Sequence, residues 1–293
     1  MSTPIPVEAH KTDRTIRLRD GRELGYGEWG DPGGWPLLYF HGWPGSRLEA
    51  RLADEAAREK GVRLIAVDRP GMGLSEYEPG RTLADWPADV LELAEALGLD
   101  RFAVLGISGG GPYAAVCAWK LSRHLTGAGL VSCLAPPDVS GLNAGMSRRN
   151  RVAFQLIGRL GVLRRVLFAV TALSVRRRPD RVLERGVAEV DKRYLDRPEV
   201  KEVLVESLSE AFRGGSRGCA WEMGLYARPW GFRLEEIQTP VHLWHGEQDA
   251  NAPVAMGRYL ASVIPDCQAT FYPGEGHLHF VDRLREIFAA VGS

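Results

Sequence analysis

Short apolar runs alternate with stretches of helical periodicity along most of this chain. Strands are predicted over Leu37–Phe40, Arg63–Val67, Phe102–Ile107, Ala128–Cys133, Val241–Trp244 and Ala269–Tyr272. Helices are predicted near Arg47–Lys60, Leu83–Leu97, Pro112–Leu121, Val254–Val263 and Leu278–Val291. Strands that alternate with helices in this way indicate an α/β fold, with a mostly parallel sheet covered by helices on both faces.

Two shorter alternating runs precede these strands. They extend from Arg14 to Arg19 and from Glu23 to Trp29, and they flank Asp20-Gly21, a dipeptide that favours a hairpin. An antiparallel edge is therefore predicted for the sheet. In sheets of this kind, functional sites lie at the carboxyl ends of the parallel strands.

The alternation stops between residues 138 and 233. This stretch lacks the alternating β-branched positions of a strand and is typical of several helices, with breaks predicted at Gly158, Gly161, Pro179, Pro198 and Gly214-Gly215. We therefore predict a core formed by residues 1–137 and 234–293. The helical insertion (residues 138–233) is expected to lie over the strand ends as a lid.

The helical insertion is the basic part of the chain. Arginines occur in runs at Arg148-Arg149, Arg164-Arg165 and Arg176-Arg177-Arg178, and the stretch from Val152 to Val175 is strongly apolar. We favour a lid helix that packs on the core and lines a substrate cleft, with the arginine heads in water. Docking on a membrane surface is the alternative, which is disfavoured because the arginines do not occupy one clean helical face.

Composition narrows the function classes. The 293 residues suit one large α/β domain with an insertion, and the formal charge of zero provides no overall field that attracts nucleic acid. The first residues lack the apolar segment of a secretory signal, and no apolar run is long enough to span a bilayer. Four scattered cysteines indicate reduced thiols in a cytoplasmic protein: Cys117, Cys133, Cys219 and Cys267. The oligomeric state stays open.

The segment from Gly106 to Gly110 contains a candidate nucleophile, Ser108. An apolar strand precedes this Gly-x-Ser-x-Gly pattern and a helical pattern follows it. A tight turn there lifts the serine hydroxyl clear of the sheet, and the two glycines provide the room that such a turn requires. The pattern is typical of a nucleophile elbow.

A serine nucleophile needs a base and a carboxylate that orients the base. Asp249 follows the strand Val241–Trp244, and His277 follows the strand Ala269–Tyr272. We interpret Ser108, Asp249 and His277 as a catalytic triad. Asp138 is the competing acid and His279 the competing base. His242 and His245 are expected to be structural, and His10 and His124 have no motif around them.

Five ordered motifs resemble the α/β-hydrolase superfamily, in particular the lidded branch of esterases, epoxide hydrolases, haloalkane dehalogenases and cofactor-free haloperoxidases. They are His41-Gly42-Trp43-Pro44, Asp68 to Ser75, Gly106 to Gly110, Gly246 to Asp249 and Gly276-His277. The resemblance covers nearly the whole chain. It implies an α/β-hydrolase fold with a helical lid, and it is much less specific for the substrate.

The resemblance also implies an oxyanion hole. Its donors would be the backbone N–H groups of Gly109 and Trp43, and His41 would brace the loop that carries Trp43. The Trp43 indole would project into the mouth of the site, with packing against the core or lid as the alternative. The apolar residues of the lid suggest a mainly hydrophobic substrate, and the candidate contacts are Trp43, Phe154, Phe168, Trp221 and Tyr226.

Serine at position 108 selects among the reactions of this branch. Its dehalogenases and epoxide hydrolases use an aspartate nucleophile, so Ser108 indicates acyl chemistry on an ester, thioester or lactone. Transfer of the acyl group to peroxide and a ligand sensor with slow turnover are the alternatives. A small-molecule ester is the expected partner, and no metal or organic cofactor is implied.

Overall fold

The computed structural model describes residues 12–143, 145–146, 150–152 and 160–292. Its strands are β1 (Arg14–Arg17), β2 (Glu23–Gly30), β3 (Trp35–Phe40), β4 (Val62–Val67), β5 (Phe102–Ile107), β6 (Leu125–Val131), β7 (Val241–Gly246) and β8 (Cys267–Tyr272). They form one sheet in the order β1-β2-β4-β3-β5-β6-β7-β8. The β1–β2 and β2–β4 pairs are antiparallel and the other neighbouring pairs are parallel. The predicted parallel sheet with an antiparallel edge is confirmed.

Helices cover both faces of this sheet. The α-helices of the described residues are α1 (Asp54–Glu59), α2 (Trp86–Ala96), α3 (Gly111–Lys120), α4 (Gly161–Arg177), α5 (Pro179–Gly186), α6 (Lys192–Leu195), α7 (Pro198–Ala211), α8 (Arg217–Tyr226), α9 (Val254–Val263) and α10 (Leu284–Val291). Along β3, Leu38 and Phe40 pack with α2 and α3, whereas Leu37 and Tyr39 pack with α1 and α10. Because successive strand residues point to opposite faces and both faces are buried in the middle of the sheet, the central strands are continuous apolar runs.

Three of the differences from the predicted boundaries lie close to the candidate site. Strand β6 begins at Leu125 and ends at Val131, because Ser132 has a positive φ of 48° that interrupts the extended backbone. The helices predicted near residues 47–60 and 278–291 each begin with a 3₁₀ segment, at Arg47–Ala53 and His279–Asp282. Each of these 3₁₀ segments begins next to residues of the candidate site.

Helices α4 to α8 lie between β6 and β7, where the helical insertion was predicted. Helix α4 begins at Gly161, α5 at Pro179 and α7 at Pro198, and Gly214-Gly215 separates α7 from α8. Proline suits the first turn of a helix because that position needs no backbone N–H. These predicted breaks are confirmed, and the one at Gly158 lies outside the described residues.

A buried ion-pair network joins the helical insertion to the sheet. Glu222 of α8 accepts hydrogen bonds from Arg69 Nε at 2.7 Å and Nη2 at 3.1 Å, and from Arg81 Nη2 at 3.1 Å. Glu222 and Arg69 are completely buried. Burial alone would raise the pKa of Glu222, but the charges of Arg69 and Arg81 outweigh it and lower this pKa to about 2. The network is therefore ionised at neutral pH.

We expect Glu222→Gln to destabilise the protein strongly, because it leaves two buried guanidinium groups without a countercharge. Breaking a buried ion pair on one side costs about 3–5 kcal/mol. At an unfolding entropy of about 2.1 cal/mol/K per residue, that loss corresponds for 293 residues to a fall in Tm of roughly 5–8 °C, which differential scanning calorimetry would measure.

Glu206→Gln is the matched control. Glu206 also lies on the helical insertion and pairs with an arginine, Arg51, at 3.0 Å, but the pair is exposed to solvent. Exposed pairs contribute about 0–1 kcal/mol, so this variant should melt close to the parent protein. Equal Tm values for the two variants would refute the role given to Glu222.

Candidate active site

The nucleophile elbow has the predicted strand–turn–helix form. Ser108 follows β5 directly, with a positive φ of 53° that is unusual for a residue with a side chain. A Cβ atom at Gly106 would lie 2.3 Å from the Gly110 carbonyl oxygen, and one at Gly110 would lie 2.0 Å from that of Phe40. Only glycine fits at either position. This tight turn brings Ser108 to the wall of a large cavity.

His277 and Asp249 are brought together at the ends of β8 and β7. The distance between His277 Nδ1 and Asp249 Oδ2 is 2.7 Å. The other carboxylate oxygen of Asp249 accepts the backbone N–H groups of Asn251 at 2.8 Å and Ala252 at 2.9 Å. The structure thus pairs His277 with Asp249, while Asp138 is exposed.

The electrostatics of this pair suit a general base. Burial tends to lower the pKa of His277, but the charge and hydrogen bond of Asp249 outweigh it and raise this pKa above its usual value. The charge of His277 in turn offsets burial and lowers the pKa of Asp249. An ionised Asp249 accepts the proton on Nδ1, which leaves Nε2 as the basic nitrogen. His277 and Ser108 line the same cavity.

Three other histidines on β7 and after β8 make contacts typical of structural residues. His279 is fully buried, its ring is 5.1 Å from that of Tyr272, and burial lowers its pKa to about 3. His245 donates from Nε2 to the Ala252 carbonyl at 2.7 Å. His242 stacks on a neighbouring tryptophan. The cavity lining includes His277 and none of these three.

The loop after β3 is held by buried charged groups. Arg69 donates to the backbone carbonyls of His41 and Gly42, and His41 Nδ1 contacts the Gly42 carbonyl at 2.7 Å. The N–H of Gly42 donates to Glu49 Oε1 at 2.8 Å. Trp43 follows Gly42 in this loop. A Cβ atom at Gly109 would lie 2.6 Å from Trp43 Cβ, so the two expected oxyanion donors are neighbours beside Ser108.

The indole of Trp43 is clamped by the helical insertion. Its Nε1 donates to the Cys219 carbonyl at 3.2 Å, and its ring packs against Phe168 at 5.4 Å and Tyr226 at 5.7 Å. Trp43 also lines the cavity. Trp43 thus packs against the insertion and is also part of the cavity wall.

Only some of the predicted substrate contacts lie in the cavity wall. Phe168 lines the cavity, but Trp221 and Tyr226 do not, which corrects the expectation for these two. Trp221 Nε1 donates to the Arg81 carbonyl at 3.0 Å, and the Tyr226 hydroxyl lies 2.8 Å from the Gly109 carbonyl. Buried tryptophan and tyrosine need partners for their polar tips, and these residues find them between insertion and core. Phe154 lies outside the described residues.

The cavity has a volume of about 870 Å³ and a mainly apolar wall. The core provides the reactive groups and the helical insertion provides most of the apolar surface. Its apolar lining from the insertion includes Val152, Leu167, Phe168, Val170, Val182, Leu183, Val187, Leu204, Leu208 and Met223. Arg185 is the one arginine or lysine among the described lining residues. The cavity therefore suits a hydrophobic small molecule.

Two carboxylates near His277 were not anticipated from the sequence. Asp191, on the helical insertion, accepts the backbone N–H groups of His277 and Leu278, both at 2.9 Å. Glu49, beneath the loop of Gly42, lines the same cavity as His277. Asp191 is 86 residues from His277 in the chain and stands in no motif, so only tertiary contacts reveal it.

Metal and thiol chemistry find no support in the geometry of the described residues. That part of the chain contains no cluster of three or more His, Cys, Asp or Glu side chains suited to a metal ion. The four cysteines are free thiols. Burial raises the pKa of Cys117, Cys133, Cys219 and Cys267, so none is an activated thiolate.

Comparisons with known proteins agree with this geometry. The chain is 35% identical over 124 residues to a non-heme chloroperoxidase of Streptomyces lividans, a match that spans 42% of this chain and 45% of that protein. It is 26% identical over 269 residues to the bifunctional esterase/perhydrolase DCH of Acinetobacter calcoaceticus, which spans 89% of this chain and 92% of the relative.

Solved structures share the fold. A thermophilic esterase from Thermogutta terrifontis superposes with a TM-score of 0.68 at 25% identity, over 96% of this chain and 97% of that one. The model of the alpha/beta hydrolase family matches residues 37–291, which include most of β3, all of β4 to β8 and the helical insertion. With the elbow, the His277–Asp249 pair and this match together, the chain belongs to the alpha/beta hydrolase family.

Proposed function

We propose that this protein hydrolyses carboxylic esters of mainly hydrophobic small molecules through an acyl-enzyme on Ser108. The observation that carries the proposal is the 2.7 Å contact of Asp249 with His277, which lines the same cavity as Ser108. The esterases among the relatives and solved structures support the same reaction class. Thioesters and lactones contain the same electrophilic carbonyl and belong to the proposed substrate class.

Each group has a role that follows from its position. Ser108 Oγ attacks the carbonyl carbon as His277 Nε2 takes its proton, and Asp249 stabilises the imidazolium that forms. The backbone N–H groups of Trp43 and Gly109 stabilise the oxyanion. His277 then protonates the departing alcohol. In the second half of the reaction His277 takes a proton from the water that attacks the acyl-enzyme and gives it to Ser108 Oγ. Acid, alcohol and free Ser108 result.

We propose that residues 138–233 act as the lid of this site. The proposed core consists of residues 1–137 and 234–293. The apolar cavity wall comes largely from the insertion, while Ser108, Asp249 and His277 come from the core. A site closed in this way keeps excess water from the oxyanion and selects an apolar acyl or alcohol group.

Perhydrolysis is the second candidate reaction. The relative DCH is named as an esterase and perhydrolase, and several relatives are non-heme haloperoxidases. In such a reaction hydrogen peroxide would attack the same acyl-enzyme in place of water, which yields a peracid and free Ser108. The two reactions share every step up to the acyl-enzyme.

Ser108→Ala tests the proposed nucleophile. We expect the variant to lose at least about a thousandfold in kcat/KM for p-nitrophenyl acetate and butyrate, because the triad acts as a unit. A fluorophosphonate probe should label the parent protein and not the variant. Circular dichroism should show an unchanged fold.

Retention of most of the activity in this variant would refute the mechanism. The parent protein, given acetate and hydrogen peroxide, tests the second candidate reaction. A rate of peracid formation that exceeds its rate of ester hydrolysis would identify perhydrolysis as the main reaction. Peracid formation that is negligible beside hydrolysis would identify the protein as an esterase.

Asp249→Asn and Asp138→Asn form a matched pair for the acid. The first removes the charge that holds the Nδ1 proton of His277, and such a change costs about 10⁴ in kcat. The second alters an exposed side chain and should leave kcat unchanged. A large loss in the Asp138 variant, with little in the Asp249 variant, would reverse the assignment.

Glu49→Gln tests the carboxylates around the base. Glu49 Oε1 accepts both the Tyr39 hydroxyl and the Gly42 N–H at 2.8 Å, and a glutamine oxygen can keep both contacts. The negative charges of Asp249, Asp191 and Glu49 all raise the pKa of His277. Because only the neutral imidazole acts as base, loss of one charge should shift the acidic limb of kcat/KM to lower pH.

Glu55→Gln, at an exposed position on α1, is the control for this measurement. Its acidic limb should coincide with that of the parent protein. An unchanged limb in Glu49→Gln would mean that Glu49 contributes no charge at His277.

A further inference from the structure

The large hydrophobic side chains that are exposed to solvent lie in one segment of the described chain. They are Val152, Leu160, Val162, Leu163, Val166, Val170 and Leu173, with exposed fractions from 46% to 77%. Five of them belong to α4. At about 100° per residue these five occupy an arc of about 100° on the helix surface. We call Val162, Leu163, Val166, Val170 and Leu173 the α4 apolar face.

The opposite side of α4 is already covered. Phe168, Ala172 and Val175 are buried in a cluster with α8. The helix therefore has one apolar stripe that packs on the protein and a second that faces outward. Contiguous exposed apolar surface of this kind marks an interaction site.

The charged residues in the sequence segment that contains α4 are of one sign. Residues 139–179 contain nine arginines and no aspartate, glutamate or lysine, in a chain whose formal net charge is zero. Arg165 and Arg176 are exposed. With angles counted around the helix axis from Val162, they lie at about 300° and 320°, beside the arc of about 100° that the apolar face occupies. Arg177 is exposed at the end of the same helix.

We propose that the α4 apolar face docks on an anionic lipid surface, an interaction that the spacing of the arginines alone disfavours and that the exposed apolar stripe supports. Apolar side chains enter the boundary between headgroups and acyl chains, while the flanking arginines contact the phosphates, as in interfacial amphipathic helices. A second copy of this chain is a poorer occupant, because a two-fold contact would place one arginine-rich surface against another. Among the described residues no helix is long and apolar enough to cross a bilayer.

The docked face borders the mouth of the cavity. Val152 and Val170 are both exposed and part of the cavity lining. The inner neighbours of α4, Leu167 and Phe168, line the same cavity. Taken together with the proposed function, this geometry points to a lipophilic ester that passes from the lipid surface along α4 to Ser108.

Vesicle flotation with the Ser108→Ala protein tests the docking without hydrolysis. The protein should float with vesicles of equal parts phosphatidylcholine and phosphatidylglycerol at low salt, and with pure phosphatidylcholine at least tenfold less. High salt should weaken the binding, because it screens the arginine–phosphate attraction. No flotation with the anionic vesicles, or equal flotation with both, would overturn the proposal.

Variants locate the contact. Val162→Glu/Val166→Glu should lose at least tenfold in partition coefficient, whereas Val162→Leu/Val166→Leu should keep it, and neither position lines the cavity. Arg165→Glu should weaken binding severalfold, and Arg123→Glu, at an exposed position outside the insertion, should not. Unchanged binding in the double glutamate variant would refute docking through α4, as would a stable dimer that does not bind vesicles.

The double glutamate variant also separates this proposal from the proposed function. Its hydrolysis of soluble p-nitrophenyl acetate should equal that of the parent protein, because the site is untouched. Loss of docking with full esterase activity supports both proposals. Vesicle binding by a protein without esterase activity would support docking alone.

Discussion

The buried contact between Glu222 and Arg69 is the interaction on which the site depends. Glu222 lies on α8 of the helical insertion, and Arg69 lies in the loop after β4. The same guanidinium donates to the carbonyls of His41 and Gly42, in the loop that continues to Trp43. One ion pair thus connects the insertion to the loop expected to bind the oxyanion. Because the pair is completely buried, loss of Glu222 would leave the Arg69 guanidinium as a buried charge without its carboxylate partner.

Tyr226 extends this connection to the nucleophile. Its hydroxyl lies 2.9 Å from Glu222 and 2.8 Å from the carbonyl of Gly109, the residue after Ser108. Its ring also packs against Trp43. Tyr226 was expected to contact the substrate, and it lies instead behind the residues that border the cavity. The helical insertion is therefore part of the scaffold of the site.

The loop of His277 is held from several elements at once. Asp249 accepts the side-chain proton, Asp191 of the insertion accepts the backbone N–H, and Ser132 Oγ donates to the backbone carbonyl at 3.0 Å. Ser132 itself has a positive φ. Unusual backbone conformations at Ser108 and Ser132, at the ends of neighbouring strands, persist because surrounding contacts over-determine them.

Local rules account for most of what the sequence predicted correctly. The central strands could be located because both faces of the sheet are buried there, so that each of them is a short apolar run. The elbow could be recognised because no side chain fits at Gly106 or Gly110. The boundaries of β6 were wrong, since the positive φ at Ser132 depends on its contact with the loop of His277 and leaves no local pattern.

The sequence by itself determined the strand–helix alternation, the turn at Ser108 and the chain order of Ser108, Asp249 and His277. Tertiary structure alone decided that Asp249 and not Asp138 pairs with His277, and that Trp221 and Tyr226 lie away from the cavity. It alone placed Glu222 and Asp191 beside the core. Local elements follow from periodicity and turn sterics, which act over a few residues. Partners such as Asp191 and His277 are separated by 86 residues, and only the packing of the insertion on the sheet brings them together.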